Sequence, residues 1–135
     1  MDDCLFCNIA KGQEPSSKIY EDKNTYAFLD INPTNKGHAL VIPKKHFYNF
    51  YDLPDEEMCQ MMLTAKKLAA VIKKAMNADG INIIMNNDRA AGQLISHSHI
   101  HIVPRFDNDG YRHWKGTPYP MGKMEQVAEQ IRKEL

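Results

Sequence analysis

The chain has 135 residues, 17 basic and 17 acidic, so its formal net charge is zero with histidine neutral. That length fits one compact domain needing no disulfide staples, and the balanced charge argues against nonspecific binding to nucleic acid or acidic membranes. Apolar runs such as Ala39-Leu40-Val41-Ile42 fall far short of the ~18 residues of a membrane span. Three cysteines, an odd number, and a start without secretory-signal character lead us to expect a reducing, cytoplasmic compartment.

In chain order, residues 4–11 suit one or two helical turns stopped by Gly12 and Pro15. Residues 18–21 and 25–30 read as strands around the turn formers Asp22-Lys23-Asn24. Residues 31–37 are a loop by composition, and 38–42 a short apolar strand that Pro43 should end or mark as a sheet edge. The clearest element is a helix from about Pro54 to Met76. Met58, Met61, Met62, Ala65, Leu68, Ala69, Ile72 and Met76 form an apolar stripe. Its first turn is acidic, its last turn basic, and Gly80 lies just beyond. Cys59 flanks the stripe and is expected to pack beside it. Residues 81–86 and 96–103 read as strands and 87–92 as a loop. Met124, Val127, Ala128, Ile131 and Leu135 have helical spacing. The expectation is α+β: about five antiparallel strands, one long helix and short terminal helices. Residues 1–105 would form the domain, with 106–135 as a C-terminal extension packed on it.

The segment His97-Ser98-His99-Ile100-His101-Ile102-Val103 carries the chemistry. In a strand, side chains alternate faces, so the three imidazoles would line one face roughly 7 Å apart. Imidazole serves as nucleophile, acid, base or metal ligand near neutral pH. Three readings follow: a chance run of half-buried histidines, a three-histidine metal site of a metal-dependent hydrolase, or phosphoryl transfer with one histidine as nucleophile.

These residues resemble the histidine-triad (HIT) signature, His-φ-His-φ-His-φ-φ, with Ser98 departing at the first φ. The resemblance extends to residues 28–33, to residues 37–46 with His38, and to Asn86 and Ala91-Gly92-Gln93 before the triad. It implies a HIT-like fold and a nucleotide hydrolase or nucleotidyl transferase acting at the α-phosphate of a purine nucleotide or its conjugate. The rival reading is a nucleotide-binding or sensing module with vestigial catalysis. By resemblance, His99 is the nucleophile, its proton held on the far nitrogen by the backbone carbonyl of His97. His101 contacts the phosphate or leaving-group oxygen, and His38 supports the triad. Asn86, Gln93 and backbone N–H groups of the Gly92 loop hold phosphate oxygens. Asp30 accepts from ribose hydroxyls, and Leu5, Phe6, Ile9, Phe28, Ile31 and Leu40 line a purine slot. For those six, ordinary core packing is the competing reading. Leu94 stands where other branches carry a hydroxyl residue, so no leaving group is implied. Pro104-Arg105 is similar to the bacterial Hit-like branch. The family also implies a homodimer joined through the long helix and a central strand.

Cys4-Leu5-Phe6-Cys7 is a C-x-x-C pair: a disulfide, a redox pair, or half of a zinc site. A structural zinc needs four soft or borderline ligands. The resemblance supplies His46 and His97 as the other two, so structural zinc is the expected cofactor. His113, in a polar tail, is expected to be solvated.

Overall fold

In the computed structural model, which describes residues 3–135, the apolar runs assemble into one five-stranded antiparallel sheet. Its order is β1-β2-β3-β5-β4, with β1 Lys18–Glu21, β2 Thr25–Leu29, β3 Ala39–Pro43, β4 Gly80–Ile84 and β5 Ile100–Arg105. Asp22 shapes the first hairpin: its Oδ1 accepts from the N–H of Asn24 at 2.9 Å and of Thr25 at 2.8 Å, a side-chain turn typical of aspartate.

Period-2 alternation sorts the strands' side chains onto two cores. On one face, Ala27, Ala39, Val41, Ile100 and Ile102 meet Met61, Ala65, Leu68 and Ile72 of α2 (Asp55–Ala75). On the other, Tyr26, Phe28, Leu40 and Ile42 meet Phe6 and Ile9 of α1 (Leu5–Ala10). Asp55, Glu56 and Glu57 sit at the positive end of α2, and Lys73 and Lys74 at the negative end. The expected stripe is narrower than its sequence spacing: Met62 and Met76 stay exposed. Cys59, expected to pack, is exposed as well.

Strand boundaries differ from the sequence reading at the functional segment. The strand expected from residue 96 begins at Ile100 and runs on through Pro104 and Arg105. Residues before it are diverted by other hydrogen bonds: Ser98 N–H donates to the Phe47 carbonyl at 2.7 Å rather than to a ladder. Pro104 fits inside β5 because the β3 ladder stops at the Ala39–Ile102 pair. Its missing N–H therefore costs no sheet bond on that side, while its carbonyl accepts from Asn35 Nδ2 at 2.8 Å.

The C-terminal segment forms α3 (Lys123–Glu134), but none of its residues is buried. Met124, Ile131 and Leu135 are exposed, while Val127 and Ala128 are half-buried. An apolar stripe specifies that a helix has a side to bury, not the surface that receives it.

Candidate active site

The site forms where the chain enters β5. His101 lies within the sheet, opposite Leu40 of β3 and Ile84 of β4, and its ring centroid is 5.0 Å from that of His99. His99 Nδ1 lies 2.7 Å from the backbone carbonyl of His97. A carbonyl only accepts, so the proton sits on Nδ1 and the Nε2 lone pair is free. The Phe6 ring stands edge-on to His99 at 5.2 Å and 90°, which fixes the imidazole plane.

The expected row of three evenly spaced imidazoles is corrected. His97 precedes the strand, and its ring turns into a different cluster. His97 Nε2 donates to the Pro43 carbonyl at 2.9 Å. Its Nδ1 therefore presents a lone pair, 3.3 Å from Cys4 Sγ, 3.4 Å from Cys7 Sγ and 3.2 Å from His46 Nδ1. Cys7 Sγ is also 3.3 Å from His46 Nδ1. The C-x-x-C spacing works because Cys4 is the N-cap of α1, its Sγ accepting the Cys7 N–H at 3.3 Å. The four ligand atoms lie within 4.8 Å of one another. A ring N–H bonded to a carbonyl, with the other nitrogen aimed inward, is the second-sphere arrangement of metal-ligating histidine. The residues thus fit a tetrahedral Cys2His2 site. The reading in which one metal sits on all three histidines of the triad fails on geometry, because His97's ring belongs to this cluster.

His38, from the loop entering β3, completes the other cluster. Its Nε2 lies 2.9 Å from His101 Nδ1 and 3.6 Å from Asp30 Oδ2, and its Nδ1 accepts the Thr34 N–H at 3.0 Å. Burial lowers the pKa values of His38 and His99 despite Asp30 nearby. It drives His101 down to about 4, helped by the neighbouring His99 and His38. Burial also drives His97 to about 4, against the Pro43 carbonyl. At neutral pH these imidazoles are uncharged, the form a nucleophile needs. Burial and the adjacent Cys4 push the Cys7 thiol up to about 11.

The phosphate loop differs from the sequence expectation in one respect. Gln93 is buried and spends both amide hydrogens on carbonyls, of Tyr48 at 2.7 Å and Ile95 at 3.1 Å. Its Oε1 accepts the Asp88 N–H at 2.9 Å. The N–H groups of Ala91, Gly92 and Gln93 are likewise used within the turn, by Asp88 and Arg89 carbonyls. In this structure Gln93 and these amides hold the loop's shape instead of pointing donors at a phosphate. Gly92 supplies the left-handed φ of +94° that ends the turn, with Asn86 Nδ2 3.6 Å from where a Cβ would stand. Asn86 makes no side-chain hydrogen bond among the described residues, so its amide is available. Sequence reading missed Asn49, which is buried and reaches Asp88 Oδ1 at 3.2 Å. It also missed the Pro43 carbonyl and the Thr34 N–H. Backbone groups leave no residue-type signature, and a lone loop asparagine has no pattern to reveal it.

Of the expected purine-slot residues, Phe6, Ile9, Phe28 and Leu40 are core members, whereas Leu5 is 44 % and Ile31 91 % exposed. Asp30 is accessible, its Oδ1 accepting the Asn32 N–H at 2.9 Å. Leu94 projects into solvent. Beside it, Leu94, Ile95, Ser96, Leu5 and Cys4 line an open hollow of about 450 Å³. His113 is exposed.

Residues 11–108 match the family model described as the HIT domain. The chain is 47 % identical over 104 residues to an adenosine 5'-monophosphoramidase of Saccharomyces cerevisiae, covering 77 % of this chain and 63 % of that one. Its fold superposes on a protein of Streptococcus mutans with a TM-score of 0.93 at 44 % identity, covering 99 % of this chain and 86 % of the other. A zinc-bound histidine-triad family protein of Mycobacterium smegmatis gives 0.79 at 34 % identity, covering 99 % of both chains.

Proposed function

Given that the chain belongs to the HIT-domain family, we propose that it is a nucleotide hydrolase or nucleotidyl transferase working at the α-phosphate of a purine nucleotide conjugate. The observation that carries this reading is the His99 Nδ1–H pinned to the His97 carbonyl at 2.7 Å. It leaves Nε2 as an unprotonated nucleophile that no side chain among the described residues blocks by hydrogen bonding. That nitrogen attacks the α-phosphorus, and the bond from phosphorus to the leaving group breaks with its electron pair on the leaving group, which takes a proton from His101; the water of the second step gives that proton back to His101. The resulting nucleotidyl-imidazolium keeps its Nδ1–H against the carbonyl, whose dipole stabilises the new positive charge. Water then attacks phosphorus, gives up a proton, and releases the nucleoside monophosphate with His99 restored. The related phosphoramidase of yeast supports this class of substrate.

Asn86 contributes the free amide for a phosphate oxygen, and His101 contacts the phosphate or departing oxygen. Asp30 meets the ribose. Leu5 and Ile31 offer apolar surface to the base, with Phe6, Ile9, Phe28 and Leu40 supporting that surface from beneath. The Cys4, Cys7, His46 and His97 set holds one structural zinc, which when bound ties the N-terminus to the start of β5. The zinc-bound relative supports that assignment. A homodimer and a reducing cytoplasmic setting complete the reading.

The test is single-turnover chemistry with an adenosine 5'-phosphoramidate or an adenylylated fluorophore. Acid-quenched wild-type protein should carry one adenylyl group on His99, and His99→Ala should lose turnover by 10³-fold or more, of the order seen for lost nucleophiles. Undiminished turnover in folded His99→Ala protein would overturn the assignment.

A further inference from the structure

The loop between β2 and β3, residues 31–37, orients a group outside it. Its Asn32 N–H donates to Asp30 Oδ1 at 2.9 Å and so aims that carboxylate. Other hydrogen bonds of the loop close on its own end: the His38 N–H donates to the Asn35 carbonyl at 3.1 Å, and the Thr34 N–H to His38 Nδ1 at 3.0 Å. Among the described residues, two hydrogen bonds tie the loop to a distant segment, and both come from Asn35 Nδ2. One goes to the Pro104 carbonyl at 2.8 Å and the other to Asp109 Oδ2 at 3.0 Å. A carbonyl and a carboxylate only accept, so both amide hydrogens of Asn35 are committed and its orientation is set. At the loop's end, Gly37 lies too close to Met76 for a side chain: a Cβ there would stand 2.5 Å from Met76 Cγ. That end is fixed by packing, and the crown is fixed at Asn35.

Asp109 is a rigid post for that crown. Its side chain is 5 % exposed. It accepts from Arg105 Nε at 2.8 Å and Arg105 Nη2 at 3.1 Å, a two-point pairing that fixes both planes. The N–H groups of Phe106 and Tyr111 donate to it at 3.1 and 3.0 Å. Arg105 is held in turn, its Nη1 donating to Asn82 Oδ1 of β4 at 2.7 Å. The Arg105 guanidinium beside Asp109 keeps its carboxyl well below the usual carboxylate range, so Asp109 remains an acceptor. The turn itself needs only the Phe106 and Tyr111 bonds; the bond to Asn35 reaches a loop about 70 residues away in sequence. Asp109 also lies past the family-matched residues 11–108, so the C-terminal segment, and not the family motif, supplies this contact. We infer that Asp109, acting through Asn35, is a positioning residue for ribose recognition: it holds the 31–37 loop where the Asn32 N–H aims Asp30 at the ribose hydroxyls. The inference rests on the proposed assignment of Asp30 to the ribose.

The experiment is a pair of calorimetric titrations of the full chain, with adenosine 5'-monophosphate and with its 2',3'-dideoxy analogue. Wild-type protein should prefer the ribonucleotide by about 10-fold, the scale of one hydrogen bond to a charged group. Asn35→Asp keeps the shape but turns an oxygen toward the Asp109 carboxylate and the Pro104 carbonyl. Asp109→Asn removes an acceptor from the post. Each should weaken ribonucleotide binding by about 10-fold and leave the dideoxy analogue nearly unchanged, so that the preference disappears. A merely structural role would weaken both ligands alike or neither, and an unchanged preference in folded Asn35→Asp overturns the inference. In an Asp30→Ala background, Asn35→Asp should cost no further ribonucleotide affinity; a second loss of the same size would place the effect away from Asp30 and overturn it. Should Asp109→Asn not fold, Asn35→Asp and Asn35→Ala decide, since Asn35 sits in a half-buried loop position. Wild-type protein that binds both nucleotides equally overturns this inference and leaves adenylylation of His99 to its own test. Failed adenylylation with the preference intact overturns the hydrolase reading alone, and binding of neither nucleotide overturns both.

Discussion

His97 shows how one residue can serve two sites: its carbonyl sets the His99 tautomer while its ring joins the cysteine cluster. Its neighbour Ser98 is a contrast, since its buried Oγ finds no partner among the described residues. An unsatisfied buried hydroxyl costs roughly 1–3 kcal/mol, so Ser98→Ala should raise stability by about 1 kcal/mol in urea unfolding with the slope unchanged. A fall in the midpoint would show that the hydroxyl has a partner the structure does not contain. The depressed histidines make a second residue-scale prediction. His101 ionises near 4 in the fold, against an ordinary 6.5. Unfolding releases it to take up a proton between those values, so the folded state loses stability as pH falls from about 6.5 through about 4. The slope reaches about 1.4 kcal/mol per pH unit for each such group. With chelator present, His97 should add to that slope; denaturant midpoints across pH 4–7 would show it, and a flat profile would contradict the burial argument.

At the scale of elements, α1 is the part least able to stand alone. Six residues fall well below the length at which an isolated helix persists in water, and only Phe6, Cys7 and Ile9 anchor it by burial. Two of the four metal-type ligands, Cys4 and Cys7, lie at its start. Metal binding that requires the folded site stabilises it by mass action. Zinc removal should therefore lower Tm and speed hydrogen exchange at the Asn8 and Lys11 amides, which bond to the Cys4 and Cys7 carbonyls, before it affects α2. Elemental analysis of protein purified without chelator should find about one zinc per chain. Background zinc together with unaltered exchange on chelation would sink the zinc assignment.

Across the whole molecule, β4 is one edge of the sheet and β1 the other, and β4 exposes Ile83 and Ile84. An apolar edge strand invites pairing with another chain. Beside it, Cys59, Met62 and Leu63 of α2 border an apolar hollow of about 630 Å³ with Ile83. We propose this surface, α2 with β4, for the expected homodimer; β4 is an edge strand of the chain's own sheet, where a central strand was expected. Sedimentation at micromolar concentration should show a dimer, and Leu63→Glu with Ile83→Lys should shift it to monomer; a monomeric wild-type chain would remove the dimer from the reading.

Much of the arrangement was legible before any coordinates. The α2 stripe, the capping charges and the apolar alternation of β2 and β3 follow from periodicities that local geometry imposes, and the HIT resemblance marked His99, His38 and the cysteine pair. The sequence could not show that the strand starts at Ile100, that the His97 ring leaves the row, or that Gln93 is consumed by its own loop, because each depends on which carbonyl or amide from a distant segment arrives there. The sequence alone determined which side chains are available for chemistry. Tertiary structure decided the protons: the Pro43 carbonyl against His97 turns a lone pair inward, and the Thr34 amide against His38 turns a proton inward. Two clusters of metal-type donors therefore present opposite hydrogen-bond polarity, because a hydrogen bond's direction is set by the partner the fold supplies.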